Sequence, residues 1–200
     1  MKAGDAFDCD VDGNGTYDAD ERFYYMTDLE ENADYAVLLF YENLAYGEVS
    51  PKSTIAYNSA NSNTSGPITA KAYLPTTTQW KNVSLYTTKR TIMDDYDEPI
   101  TEFDYSGYAA RFMTSDEGAT ASSDCRSRTS IIREGTLSTC PFLVRGDGWG
   151  YWLETTSYNS TTYVWAINLS SAYFIDPKAN HNTLYGVRPV IEVKKTDIQY

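Results

Sequence analysis

The chain has 200 residues, 42% of them hydrophobic and 14% aromatic, with 18 Tyr. So much ring surface excludes a disordered chain, since burying it offsets the entropy of ordering, and the length suits one domain. A net charge of −12 argues against nucleic acid and anionic membranes as partners, and no apolar run approaches the roughly 20 residues of a membrane helix.

Residues 1–21 read as an Asp/Gly-rich unit ahead of a main body at 22–200. Within it, Asp10-Val-Asp12-Gly-Asn14-Gly15-Thr16-Tyr-Asp18-Ala-Asp-Glu21 fits the calcium-loop pattern D-x-[DN]-x-[DN]-G-x5-E at every specified position. Calcium takes about six to eight oxygens. Asp10, Asp12, Asn14, the Thr16 carbonyl, Asp18 through a water and Glu21 would supply them, with Gly15 at the sharp turn. An EF-hand needs helices on both flanks, yet Ala6–Cys9 and Arg22–Tyr25 read as strands. The plainer alternative is a polar β-hairpin with a Gly-Asn-Gly tip.

Further along, Arg22–Met26 is predicted as a strand and Ala36–Tyr41, the most apolar run, as a buried central strand. Residues 50–69 form a Ser/Asn/Thr/Gly/Pro loop with little core content. Two helix starts share a capping-box spacing: Thr76 with Gln79, and Thr114 with Glu117. Trp80, Val83 and Leu85 would give the first helix its apolar side, and Gly118 should keep the second short. Three short strands then follow at 150–155, 163–168 and 187–193, separated by loops 156–162 and 169–186. The expected class is α+β, an antiparallel sheet with two helices.

Cys9, Cys125 and Cys140 include no CxxC pair, and His181 is the single histidine, so a zinc site is not expected. Cys125 and Cys140 bracket a polar stretch of the length a disulfide commonly closes, worth roughly 3 kcal/mol. Three reduced core thiols are the alternative. Asn-x-Ser/Thr acceptors stand at Asn63, Asn82, Asn159 and Asn168.

His181 has Ser170, Ser171 and Asp176 in its region, but no Gly-x-Ser-x-Gly elbow exists, so an exposed loop histidine is expected rather than a triad. Asp94-Asp95-Tyr96-Asp97-Glu98 and Asp116-Glu117 read as solvated acidic loops, with a glycosidase pair as the sharper alternative. Tyr158, Tyr163, Tyr173 and Tyr185 sit among Asn, Ser and Thr. Rigid rings with short polar neighbours suit an adaptable recognition surface.

Leu74-Pro75-Thr76 with Gln79-Trp80, and the looser Ala110-Arg111-Phe112-Met113-Thr114 with Glu117, resemble the helix signature of C-type-lectin-fold domains. Tyr151-Trp152-Leu153, Tyr163-Val164-Trp165 and Gly186-Val187-Arg188-Pro189-Val190 resemble that family's ending. The likeness is to the bacterial and phage branch, which holds formylglycine-generating-enzyme-like domains and the variable proteins of diversity-generating retroelements. It spans roughly residues 22–193 in order. It implies that the strands around 22–26 and 187–193 pair, bringing the termini close, and that ligand is met by the connections between Tyr151 and Gly186. The sugar-coordinating Glu-Pro-Asn triplet of animal lectins is absent, with Asp97-Glu98-Pro99-Ile100 only an echo, and no Cys follows Cys140 to serve formylglycine chemistry.

The expectation is therefore a secreted or cell-surface recognition domain, an adhesin-type module of bacterial origin, binding protein or glycan. Its contact residues would be Tyr158, Asn159, Thr162, Tyr163, Trp165, Asn168, Ser171, Tyr173, Asn180, His181 and Asn182, with calcium as the candidate cofactor. No basic-then-apolar leader opens the sequence, so an export signal is expected to lie upstream or to have been removed. A carbohydrate-active or formylglycine-type enzyme and a pilus or stalk module are the alternatives.

Overall fold

The computed structural model describes residues 1–44, 54–125, 140–145 and 149–198, with backbone alone for 122–125 and 173. The fold is mixed α and β. Strands β1 (Ala6–Asp8), β2 (Arg22–Leu29) and β3 (Asn32–Phe40) come first, then β4 (Lys89–Met93) and β5 (Pro99–Asp104). Helix α1 (Ser115–Cys125) is followed by β6 (Gly150–Thr156), β7 (Val164–Asn168), β8 (Tyr173–Ile175), β9 (Tyr185–Gly186) and β10 (Val190–Lys194). These make a four-stranded sheet in the order β1-β2-β3-β10, a β4-β5 ribbon, and a second four-stranded sheet β8-β7-β6-β9. All pairings are antiparallel except β6 with β9.

Both large sheets are covered on both faces, and period-two alternation sorts their side chains. Val37 and Leu39 of β3 join Tyr151, Leu153, Trp165, Ile167 and Met113 in one core. Ala36 and Leu38 turn the other way, onto Phe23, Ile191 and Val11. From β6 and β7, Trp152, Val164 and Ala166 face a third cluster with Tyr57, Phe103, Tyr105 and Phe112.

One α-helix stands among the described residues where the sequence suggested two. At Thr114 the capping box closes both ways: Thr114 N–H donates to Glu117 Oε2 (2.9 Å) and Glu117 N–H to Thr114 Oγ1 (3.1 Å). Gly118 does not end this helix. A Cβ there would come within 3.1 Å of both Met113 and Phe174, so the glycine admits close packing instead. At Thr76, Gln79 Oε1 accepts the Thr76 N–H (2.9 Å) and Trp80 N–H donates to the Thr76 carbonyl (2.9 Å), but only a single turn forms. The chain leaves because Trp80 packs against Phe23 and Phe40, at 5.6 and 5.4 Å between centroids, and Asn82 N–H bonds the Val11 carbonyl (3.1 Å).

The last strand is also placed differently. β10 pairs with β3, Val190 opposite Leu39, so β3 separates it from the 22–26 segment of β2. The N-terminal amine and Lys195 still come near one another, both close to the Asp28 carboxylate, which bonds Lys195 Nζ (2.5 Å). Residues 54–69 carry more core than their composition suggested: Tyr57 is wholly buried, its hydroxyl donating to the Glu154 carbonyl (3.2 Å). Among the described residues no helix is long and apolar enough to cross a membrane.

Candidate metal centre and recognition surface

β1 ends at Asp8, clamped by Arg22 of β2 through Nε (2.7 Å) and Nη2 (2.9 Å), and the acidic loop follows. The Asp10 carboxylate accepts the N–H groups of Asn14 (3.0 Å) and Gly15 (3.1 Å), and Asp12 Oδ1 accepts Asn14 N–H as well (2.9 Å). Gly13 and Gly15, at φ of +75° and +86°, supply the left-handed backbone that this winding needs. A 3₁₀ turn over Ala19–Glu21 then returns Glu21 to the loop. Its Oε1 accepts Asp12 N–H (3.2 Å), and its Oε2 is buried with no hydrogen-bond partner.

Carboxylate oxygens of Asp10, Asp12 and Glu21 all lie within 4.8 Å of one another. Burial pushes the Glu21 carboxyl up, and the Asp12 charge adds to it, against the Asp12 N–H bond that pulls it down. A divalent cation would relieve that repulsion, and three carboxylates would offer it the hard oxygens calcium prefers. Three of the six expected ligands are thus brought together. The Asn14 amide also donates to Asp12 Oδ2 (3.2 Å), and Asn14 and Asp18 flank Thr16, whose hydroxyl sits 2.5 Å from Asn14 Oδ1 and 2.7 Å from Asp18 Oδ2. The flanks are strand and 3₁₀ turn, not the helices of an EF-hand.

The loop is anchored from far away. Val11 is buried in the core, and Asn82 Nδ2 donates to the Asp10 carbonyl (2.9 Å) and to its carboxylate (3.1 Å). Nothing local marks Asn82 for this role, since its sequence context shows only an Asn-x-Ser acceptor. Beside it, burial and then the Asp8 and Glu21 charges push the Cys9 thiol up to about 12, so it stays protonated and unreactive. The expected Cys125–Cys140 bridge involves the Cys125 side chain, which lies outside those described.

The recognition residues divide. Ala179 N–H donates to the Thr162 carbonyl (2.7 Å) and Tyr163 bridges to Lys178, which sets 158–163 beside 178–182. Both rest on 58–66. Asn58 N–H reaches the Ala179 carbonyl (3.0 Å), and the buried Asn63 amide donates to the Ser160 (2.7 Å) and Tyr163 (2.8 Å) carbonyls. Tyr158, Asn159, Tyr163, Asn180 and Asn182 are exposed on this platform, with Thr162 and His181 half-buried. No family model, no curated protein and no solved structure matches the chain.

Several expected contact residues fall elsewhere. Trp165 is 3% exposed, because β7 is covered on both faces. Asn168 and Ser171 form a turn at the opposite end of β7, with Ser171 N–H on Asn168 Oδ1 (3.0 Å). At about 3.3 Å per residue, that is some 16 Å from Tyr163. The Tyr173 side chain lies outside those described. His181 is edge-on to Tyr185 (5.8 Å), while Ser157, not His181, meets Asp176 (3.2 Å), so no triad assembles here.

Two contributors were missed. Tyr96, 59% exposed, packs its ring 4.5 Å from that of Tyr158, and Asp95 Oδ1 accepts the Tyr158 N–H at 2.5 Å. The 58–66 loop was the other, its buried Asn63 reading in sequence as one more surface acceptor.

Proposed function

We propose that this protein is a recognition domain with C-type-lectin-like organisation, secreted or displayed at a cell surface, that binds protein or glycan through the 158–163 and 178–182 connections. One observation carries the reading. Three segments distant in sequence are tied by main-chain and Asn63 hydrogen bonds into one display of Tyr, Asn, Ser and Thr. A paratope-like composition held rigid binds at low entropic cost. The lectin-like part is supported by the order of the sequence motifs and by the terminal strand joining the sheet of the first strands. Diversification by a retroelement is part of the same reading, and a second gene copy differing at adenines across codons 156–186 is its genetic signature.

Calcium belongs to this proposal as a stiffener of the β1–β2 connection, held by Asp10, Asp12 and Glu21. Bound only in the folded state, it raises stability by mass action.

Replacing Tyr158, Tyr163 and Asn182 together by Ala is expected to remove binding on glycan and host-protein arrays with the melting temperature unchanged. Retained binding by that variant sinks the platform. Separately, Asp12→Ala with Glu21→Ala should cancel any calcium-dependent rise in melting temperature, and an undiminished rise would dismiss the metal centre.

A further inference from the structure

A cavity of about 550 Å³ opens beside the first sheet, between β1, the acidic loop, the 82–84 segment and the end of β10. Its apolar lining is Phe7 of β1, Val83, Val193 of β10 and Ile198, all half-buried against the cluster of Phe23, Leu38 and Ile191. Two further rings line it, Tyr17 from the acidic loop and Tyr35 of β3. Tyr17 is 66% exposed, a surface that a bound molecule would cover.

The wall of the cavity is preformed. Its 82–86 segment is fastened at both ends: Asn82 Nδ2 donates to the Asp10 carbonyl (2.9 Å), and Tyr86 N–H donates to Oε2 of the buried Glu192 (2.6 Å). The Tyr86 ring in turn lies against Tyr35, at 5.0 Å between centroids. A molecule entering need not order these groups first. Charge around the cavity is uneven. Asp8 is matched by Arg22 (2.7 Å) and Glu192 by Arg111 (2.6 Å), whereas Asp10 and Asp197 have no ion-pair partner among the described residues. Lys194 is the one cation among the described lining residues.

We propose that this cavity binds a small ring-bearing amine, its apolar body on Phe7, Val83, Val193 and Ile198 and its ammonium toward Asp10, Asp197 and the Tyr17 ring. A volume of this size suits a small organic molecule rather than a lone ion, and an apolar lining with a few polar groups is how such sites fix orientation. Burial of the apolar body supplies affinity, while carboxylates and the ring quadrupole select positive charge. The net charge of −12 favours approach of a cation. The site goes beyond the platform proposed above and shares no residue with it.

The test titrates 2-phenylethylammonium into ¹⁵N-labelled protein and follows the amide shifts, in EDTA so that no metal occupies the acidic loop. Saturable shifts centred on Phe7, Ser84 and Val193 are expected, with a Kd of about 1 mM for so small a probe. Phenylacetate, which carries the same ring and the opposite charge, should bind about tenfold more weakly. Ethylammonium, which lacks the ring, should bind at least about tenfold more weakly too. Ser84→Trp, at an exposed position on the wall, fills the cavity and should abolish the shifts with the melting temperature unchanged. Tyr17→Ala removes an exposed ring without touching the core and should weaken binding about threefold. Absence of saturable shifts in wild type overturns the proposal, as does equal affinity for phenylacetate or for ethylammonium. Undiminished binding by a folded Ser84→Trp, or by Tyr17→Ala, overturns it as well. Because neither residue belongs to the platform, array binding retained by both variants separates failure here from failure of the platform.

Discussion

Asn82 Nδ2 donates to both the carbonyl and the carboxylate of Asp10, at 2.9 and 3.1 Å, across 72 residues of sequence. This contact joins the acidic loop to the segment that carries Trp80 onto Phe23 and Phe40. Order in the acidic loop and packing on the outer face of the first sheet are thereby linked. The same contact explains why the Thr76 start yields one turn: continuing the helix would pull Asn82 off Asp10.

Asn82→Ala keeps all three carboxylates and removes only the tether. With a typical hydrogen bond worth about 1 kcal/mol net, the melting temperature should fall by about 2–4 °C, and calcium affinity should weaken in a calorimetric titration. An unchanged affinity would show that the loop holds its shape unaided.

Arg188 is fully buried and donates to four carbonyls: Phe40 (2.7 Å), Tyr41 (3.1 Å), Phe142 (2.7 Å) and Leu143 (3.1 Å). Its guanidinium also lies over the Tyr151 ring at 5.1 Å. Arg188→Met takes this donor from the Phe40, Tyr41 and Phe142 carbonyls, while the Leu143 carbonyl keeps the Tyr151 hydroxyl (2.9 Å), so the expected loss is about 3 kcal/mol, read from urea unfolding. A loss below about 1 kcal/mol would mean that the carbonyls find other partners.

Acid should destabilise the fold through Glu117. Burial alone would raise its carboxyl, but the Arg111 charge and hydrogen bonds, with Arg90 and the Thr114 amide, outweigh it and hold it below its ordinary 4.5. A carboxyl lowered in the folded state contributes stability that is complete above the unfolded value and is lost as pH falls through the folded one. Urea midpoints should therefore drop below pH 4.5, and Glu117→Gln, less stable at neutral pH, should show a shallower drop.

At Gly150, β6 leaves no room for a side chain toward β7. A Cβ there would lie 2.0 Å from the Ile167 carbonyl oxygen, a main-chain atom that moves only with its strand. Gly150→Ala should cost about 2 kcal/mol and weaken the near-ultraviolet dichroism of the buried Trp152. A wild-type spectrum and midpoint would mean that the strands separate freely.

Local rules operate over a few residues, and what they govern could be read directly. The apolar run from Ala36 was a buried strand, Thr114 and Glu117 closed their box, and the spacing of Asp10, Asp12 and Glu21 brought three carboxylates together. Tertiary structure decided what those rules leave open. The same capping spacing at Thr76 lost its helix to Trp80 and Asn82, whose partners lie far away in sequence. Tyr163 is exposed and Trp165 buried two residues later because β7 is covered on both faces, which depends on what packs there. Tyr96 meets Tyr158, and β10 chooses β3, for the same reason: burial and pairing between distant segments outweigh propensities of a few tenths of a kcal/mol, and no short window of sequence contains both partners.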